Sequence, residues 1–138
     1  MLSFLRIAVP LCTAAVVAFG ANDPKPGQVP AHFNIPLWEA GKVPLAAGDG
    51  PLDNPFLTVF QPPAGKRNGT SVIIAPGGSN IMLMYGLEGV DIAERFNDWG
   101  ATAFVLTYRL SPRYNDEARI LDGNRAIQLV RSRAKEFG

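Results

Sequence analysis

Two short, largely apolar runs on either side of a helical stretch set the tightest limit on how this chain can fold. Residues 71–75 read SVIIA and residues 101–108 read ATAFVLTY. Each is a strand-length run bounded by turn residues, the pattern of a strand buried on both faces. Between them, from about Glu88 to Trp99, the side chains Ile92, Ala93, Phe96 and Trp99 fall on one helical face. Gly100 then stands where a left-handed C-terminal cap belongs. Two buried strands joined through a helix make a right-handed crossover, which sets them parallel in one sheet. The predicted class is therefore α/β, a mostly parallel sheet with flanking helices.

The neighbouring segments extend this pattern. Residues 56–60, FLTVF, have the aromatic and β-branched content of a further strand. Residues 61–70 form a turn-rich connection in which Asn68-Gly69 is a hairpin-type signal. From about Glu117 to Phe137 the chain is helical again. Ile120, Ile127, Val130, Ala134 and Phe137 share a predicted buried stripe, and Arg119, Arg125, Arg131, Arg133 and Lys135 read as a solvated face. Residues 21–55 carry Pro24, Pro26, Pro30, Pro36, Pro44, Pro51 and Pro55. Prolines this dense exclude a long helix or a central strand. The expectation is an extended arm lying over the domain surface, pinned by Leu37 and Trp38. His32 lies in this arm and reads as a surface or packing residue.

Residues 1–20 have the layout of a secretory signal. Arg6 supplies the positive start, residues 7–19 an apolar run shorter than a membrane span, and Ala18-Phe19-Gly20 a small-residue cleavage site. An uncleaved membrane anchor is the alternative. Cleavage predicts a secreted or periplasmic protein with no stable membrane span. It also removes Cys12, the one cysteine, so a thiol enzyme is excluded. The chain divides into a signal at 1–20, the Pro/Gly-rich arm at 21–55 and an α/β segment at 56–138. With 13 basic and 12 acidic residues the net charge is +1, which gives no electrostatic reason for a nucleic-acid partner. One Cys and one His cannot build a zinc cluster or a multi-histidine metal site.

The chemistry-bearing feature is Pro76-Gly77-Gly78-Ser79-Asn80, which follows the first buried strand directly. A glycine loop there lies at the carboxyl edge of the sheet, where ligands bind in open α/β folds. The spacing does not match Gly-x-x-x-x-Gly-Lys-Ser/Thr of a phosphate loop, nor Gly-x-Gly-x-x-Gly of a dinucleotide site. Two readings stay open. One is a tight turn that needs glycine dihedrals. The other is an oxyanion hole, whose backbone N–H groups hold a developing alkoxide.

Four pieces of the sequence carry a family resemblance. They are LTVFQPP at 57–63, SVIIAPGG at 71–78, EGVDIAERFNDWGATAFVLTYRL at 88–110 and LDGNRAIQLVRSRAKEFG at 121–138. In this order and spacing they resemble the N-terminal half of the α/β-hydrolase superfamily. They look most like its secreted acetylxylan esterases and xylanase-associated lipase/esterase proteins. The resemblance implies a carboxylic-ester hydrolase that needs no cofactor and acts on a small-molecule or polysaccharide ester such as acetylxylan. It makes the backbone N–H groups of Gly78 and Ser79 the oxyanion-hole candidates. The family places a third glycine and an aromatic residue where this chain has Ser79 and Asn80. The resemblance gives Arg109 and Asp122 structural roles, so Asp122 is not the acid of a triad.

The nucleophile of this superfamily is missing from the sequence. No Gly-x-Ser-x-Gly occurs, and the serines are Ser3, Ser71, Ser79, Ser111 and Ser132. His32 follows only Ser3, whereas the superfamily order is Ser, Asp or Glu, then His. The expectation is a fragment of a longer serine esterase, or the product of an interrupted gene, inactive alone. The alternative is a non-catalytic secreted α/β protein or binding remnant.

Overall fold

The computed structural model describes residues 32–138. The expected signal at 1–20 and the start of the arm lie outside the described residues. In chain order there follow β1 (His32–Pro36), β2 (Phe56–Phe60), a 3-10 turn at Ala64–Lys66 and β3 (Ser71–Ile74). A wide helical turn at Tyr85–Val90 runs into α1 (Asp91–Asp98), followed by β4 (Thr102–Thr107), α2 (Asp116–Ser132) and α3 (Ala134–Phe137). The strands form one sheet in the order β1-β2-β4-β3. β3 and β4 pair in parallel, with Ser71 opposite Thr102 and Ile74 opposite Val105. β2 runs antiparallel to β4, and β1 antiparallel to β2.

β4 lies between β2 and β3 and is the centre of the molecule. Its side chains alternate between two faces, as the strand period requires. Phe104 and Leu106 point into the core shared with Leu57, Val59, Ala126, Leu129, Val130 and Phe137. Ala103 and Val105 point into the core shared with Ile74 and Ala93. Burying a side chain such as Phe104 contributes about 1.5–3 kcal/mol. Gly100 takes φ +85° between α1 and β4. A Cβ there would overlap the Lys66 carbonyl oxygen. Asn115 caps α2, its side chain accepting from the Ala118 N–H at 3.2 Å, with Asp116 and Glu117 in the first turn.

Three details differ from the sequence expectation. The arm does not merely lie over the surface. His32–Pro36 is built into the sheet as its border strand, with His32 opposite Phe60 and their rings 4.3 Å apart. A border position tolerates Pro36, because its missing N–H breaks no central ladder. Leu37 and Trp38 do pin the chain there: Leu37 is fully buried, and Arg125 covers the Trp38 ring at 5.2 Å. β3 is fully buried only at Ile74, since one of its edges carries no strand among the described residues. The helical stripes are also partly displaced, although Val130 and Phe137 are buried as expected. On α2 the buried residues are Ala118, Asp122, Ala126, Leu129 and Val130, while Ile120 and Ile127 are exposed. On α1 only Ala93 is fully buried, and Ile92 and Trp99 face outward.

Candidate active site

The parallel strands β3 and β4 end side by side, so the loops that follow them meet at one edge of the sheet. Within the first loop Gly78 has φ +136°, and Ser79 and Asn80 have φ +57° and +60°. Three successive residues of positive φ turn the chain sharply. A Cβ at Gly78 would overlap the Met82 carbonyl oxygen, so any other residue there forces the loop to shift. Ser79 takes the left-handed conformation despite its Cβ, which costs about 1–2 kcal/mol.

That strain is held in place from several sides. The Gly77 N–H donates to Glu88 Oε2 at 2.7 Å, and the Met84 N–H donates to the Gly77 carbonyl at 2.8 Å. The Gly78 carbonyl accepts from the N–H groups of Ile81 and Met82 at 3.1 and 3.2 Å. Tyr108 Oη donates to the Pro76 carbonyl at 2.7 Å, and the Ser111 N–H donates to the Asn80 carbonyl at 2.8 Å. The backbone N–H groups of Gly78 and Ser79 have no acceptor among the described residues. The clamped loop thus leaves the two candidate donors unpaired beside each other. Adjacent free N–H groups of this kind can take an anion or a developing oxyanion.

Two clefts flank Tyr108 at this edge. One, of about 350 Å³, lies between the arm (Pro51, Leu52), the first loop (Ile81, Leu83) and the loop after β4. The other is an open groove of about 480 Å³, lined by Ala75, Asn80, Tyr108, Asp116, Arg119 and Ile120. It adjoins the side of the sheet where β3 has no neighbour among the described residues.

Two ionic clusters fix the loop after β4. Arg109, 1% exposed, forms a two-pronged pair with Asp122, 0% exposed. This matches the structural role the resemblance gives them. Asp53 accepts from Arg113 Nε at 2.6 Å, from the Gly50 N–H at 3.0 Å and from Tyr114 Oη. The hydrogen bonds from Arg113, then Tyr114, hold the Asp53 carboxyl at about 2, and the carboxylate raises the Arg113 guanidinium above its usual value. The clusters involving Asp53, Glu88, Tyr108, Arg113 and Tyr114 escaped sequence reasoning. Each joins residues far apart in the chain, and no local spacing signals them.

The described serines form no catalytic pair. Ser111 Oγ donates to the Tyr114 carbonyl at 3.3 Å, and Ser132 Oγ donates to the Leu129 carbonyl at 2.9 Å. Ser71 opens β3, at the far end of the strand from the glycine loop. None of the described serines hydrogen-bonds His32, whose ring packs on Phe60. Among the described residues no group of three or more His, Cys, Asp or Glu is placed to hold a metal ion, and no helix is long and apolar enough to cross a membrane.

No protein-family model and no curated protein matches the chain. Solved structures do. The described fold is a partial α/β-hydrolase fold of the kind found in esterases. The chain is similar to an acetyl ester-xyloside bifunctional hydrolase from Caldicellulosiruptor lactoaceticus, at 34% identity and TM-score 0.71, over 81% of this chain and 40% of that one. An esterase from Thermogutta terrifontis matches at 18% identity and TM-score 0.60, over 79% of this chain and 36% of that one. An esterase from Pyrobaculum calidifontis matches at 22% identity and TM-score 0.57, over 80% and 32%. These two show likeness of fold alone. The chain spans about 40% or less of the length of each.

Proposed function

We propose that this chain is the oxyanion-binding part of a serine carboxylic-ester hydrolase. The observation that carries the reading is the pair of unpaired N–H groups of Gly78 and Ser79, held at the carboxyl edge of a partial α/β-hydrolase sheet. A serine from the remaining length of the fold attacks the ester carbonyl carbon. The carbonyl oxygen gains negative charge in the tetrahedral intermediate and accepts from the two N–H groups. Collapse of the intermediate expels the alcohol, and water then releases the acid. Donors that are already in place stabilise that charge without reorganising.

Nucleophile, base and acid come from outside the described residues in this reading, so the chain alone is inactive. The segment at 1–20 directs it to the secretory route or periplasm. Likeness to an acetyl ester-xyloside hydrolase supports acetylated plant polysaccharide as a substrate. A non-catalytic secreted protein is the second reading, favoured by the absence of any Ser–His pair among the described residues.

The test is a chimera in which residues 32–138 replace the matching segment of the Caldicellulosiruptor hydrolase. Hydrolysis of p-nitrophenyl acetate by the folded chimera, with background turnover from the chain alone, is the expected result. A folded chimera without turnover contradicts the proposal.

A further inference from the structure

The glycine loop carries an oxidisable side chain. Met82 is 57% exposed, and Met84, two residues on, is 36% exposed. They are the methionines among the described residues. Of the two, Met82 packs against Gly78. Its N–H donates to the Gly78 carbonyl at 3.2 Å. The three atoms nearest the point where a Gly78 Cβ would stand all belong to Met82, and its side-chain Cγ lies 3.0 Å from that point. The thioether sulfur is bonded to this Cγ, so it sits beside the residue that carries the first of the two unpaired N–H groups.

Exposure admits a peroxide to that sulfur, and the product is methionine sulfoxide. The sulfur attacks one peroxide oxygen and the O–O bond breaks. The departing hydroxide takes the proton from the oxygen now on sulfur, which leaves water and the sulfoxide. Sulfur is oxidised and the peroxide is reduced. A thioether accepts hydrogen bonds weakly, whereas the sulfoxide is polar and presents an oxygen acceptor. The donors without a partner in this loop are the N–H groups of Gly78 and Ser79, which an anion or an oxyanion would otherwise take.

We infer that Met82 is an oxidation site that closes the N–H pair: its sulfoxide oxygen takes the hydrogen bonds that Gly78 and Ser79 leave free. A dithiol reductant returns the thioether, with water and a disulfide as the other products, and frees the donors. The oxidation site rests on the loop geometry alone, whereas the loss of ester turnover that follows from it rests on the ester-hydrolase reading.

The test uses the full chain, labelled with ¹⁵N and treated with hydrogen peroxide, with peptide mass spectrometry following the oxygen gained at Met82 and Met84. As Met82 is oxidised, the amide protons of Gly78 and Ser79 are expected to move downfield while the amides of β4 stay unmoved. Methionine sulfoxide reductase with dithiothreitol is expected to return them. Met82→Leu keeps an apolar side chain of similar volume, and its Gly78 and Ser79 signals are expected to stay in place under peroxide while Met84 is oxidised. Oxidised Met82 without that movement, movement that persists in Met82→Leu, or Met82 left unoxidised where Met84 reacts overturns the proposal. In the chimera, peroxide is expected to lower kcat for p-nitrophenyl acetate about 10²-fold, as for loss of an oxyanion donor. The reductase should restore it, and the Met82→Leu chimera should turn over equally before and after peroxide. Amide movement beside a folded chimera that is inactive before peroxide keeps the oxidation site and removes the ester reading. An active chimera whose rate survives oxidation of Met82 removes the oxidation proposal alone.

Discussion

The guanidinium of Arg109 and the carboxylate of Asp122 face each other out of solvent, Nε to Oδ2 at 2.9 Å and Nη2 to Oδ1 at 2.7 Å. The Arg109 backbone N–H donates to the same carboxylate at 3.1 Å, and Nη1 donates to the Pro44 carbonyl at 2.5 Å. One side chain thereby ties the end of β4 to α2 and to the arm. This fixes the sheet edge on which the glycine loop and both clefts are built.

Removing one partner leaves the other charged and buried. Asp122→Ala is expected to destabilise the protein by about 3–5 kcal/mol. The double variant Arg109→Met, Asp122→Leu should recover most of that loss, since an apolar pair of similar volume needs no charge partner. Urea unfolding of the three proteins measures both effects. Equal stability of the single and double variants would contradict this account.

The Asp53 cluster makes stability depend on acid. The carboxyl falls from 3.8 to about 2 on folding, so the unfolded chain takes up its proton first as pH drops. The contribution is therefore complete above about pH 4–5 and is lost as pH falls through about 2. Asp53→Asn is expected to lower the melting temperature at pH 7. The two melting curves should converge near pH 2. A gap that stays constant across this range would mean that the carboxylate charge is not the stabilising feature.

Ser79 pays for its left-handed backbone, and glycine would not. Relief of about 1–2 kcal/mol, less about 0.4–1 kcal/mol for the freer unfolded chain, leaves Ser79→Gly more stable by roughly 0.5–1 kcal/mol. Chemical denaturation reads this directly. A loss of stability would mean that the serine side chain contributes something its hydrogen bonds do not show.

Glu88 and Tyr108 each hold the glycine loop through one backbone hydrogen bond. Glu88→Ala leaves the Gly77 N–H without its acceptor, and Tyr108→Phe leaves the Pro76 carbonyl without its donor. Each is expected to cost about 0.5–1.5 kcal/mol. Amide exchange should speed up at Gly77 in Glu88→Ala while the amides of β4 stay protected. Unchanged exchange at Gly77 would remove Glu88 from the clamp.

Much of the fold is legible in the sequence, for physical reasons. Residues 101–108 read as a doubly buried strand because β4 is central and packs on both faces. Gly100 reads as a cap because its backbone requires positive φ. The helix faces were only partly legible: Ala93, Val130 and Phe137 are buried as the stripes predict. Ile120 looks like core and is exposed, while Asp122, outside the apolar stripe, is fully buried. What reverses them is Arg109, which reaches Asp122 from the end of β4. The glycine loop announced itself through Gly77-Gly78, but its clamps did not. Glu88 and Tyr108 sit 11 and 32 residues from their loop partners. β1 escaped notice because the prolines along the arm argued against a central strand, and only a border position admits Pro36.

The most direct test of the central claim is the effect of Gly78→Ala on ester hydrolysis in the chimera. A Cβ at this position would overlap the Met82 carbonyl oxygen and shift the two N–H donors. With the fold intact by circular dichroism, kcat for p-nitrophenyl acetate should fall about 10²–10³-fold, as for loss of an oxyanion donor, with KM little changed. A folded Gly78→Ala chimera that keeps its kcat would contradict the assignment of this loop to the oxyanion.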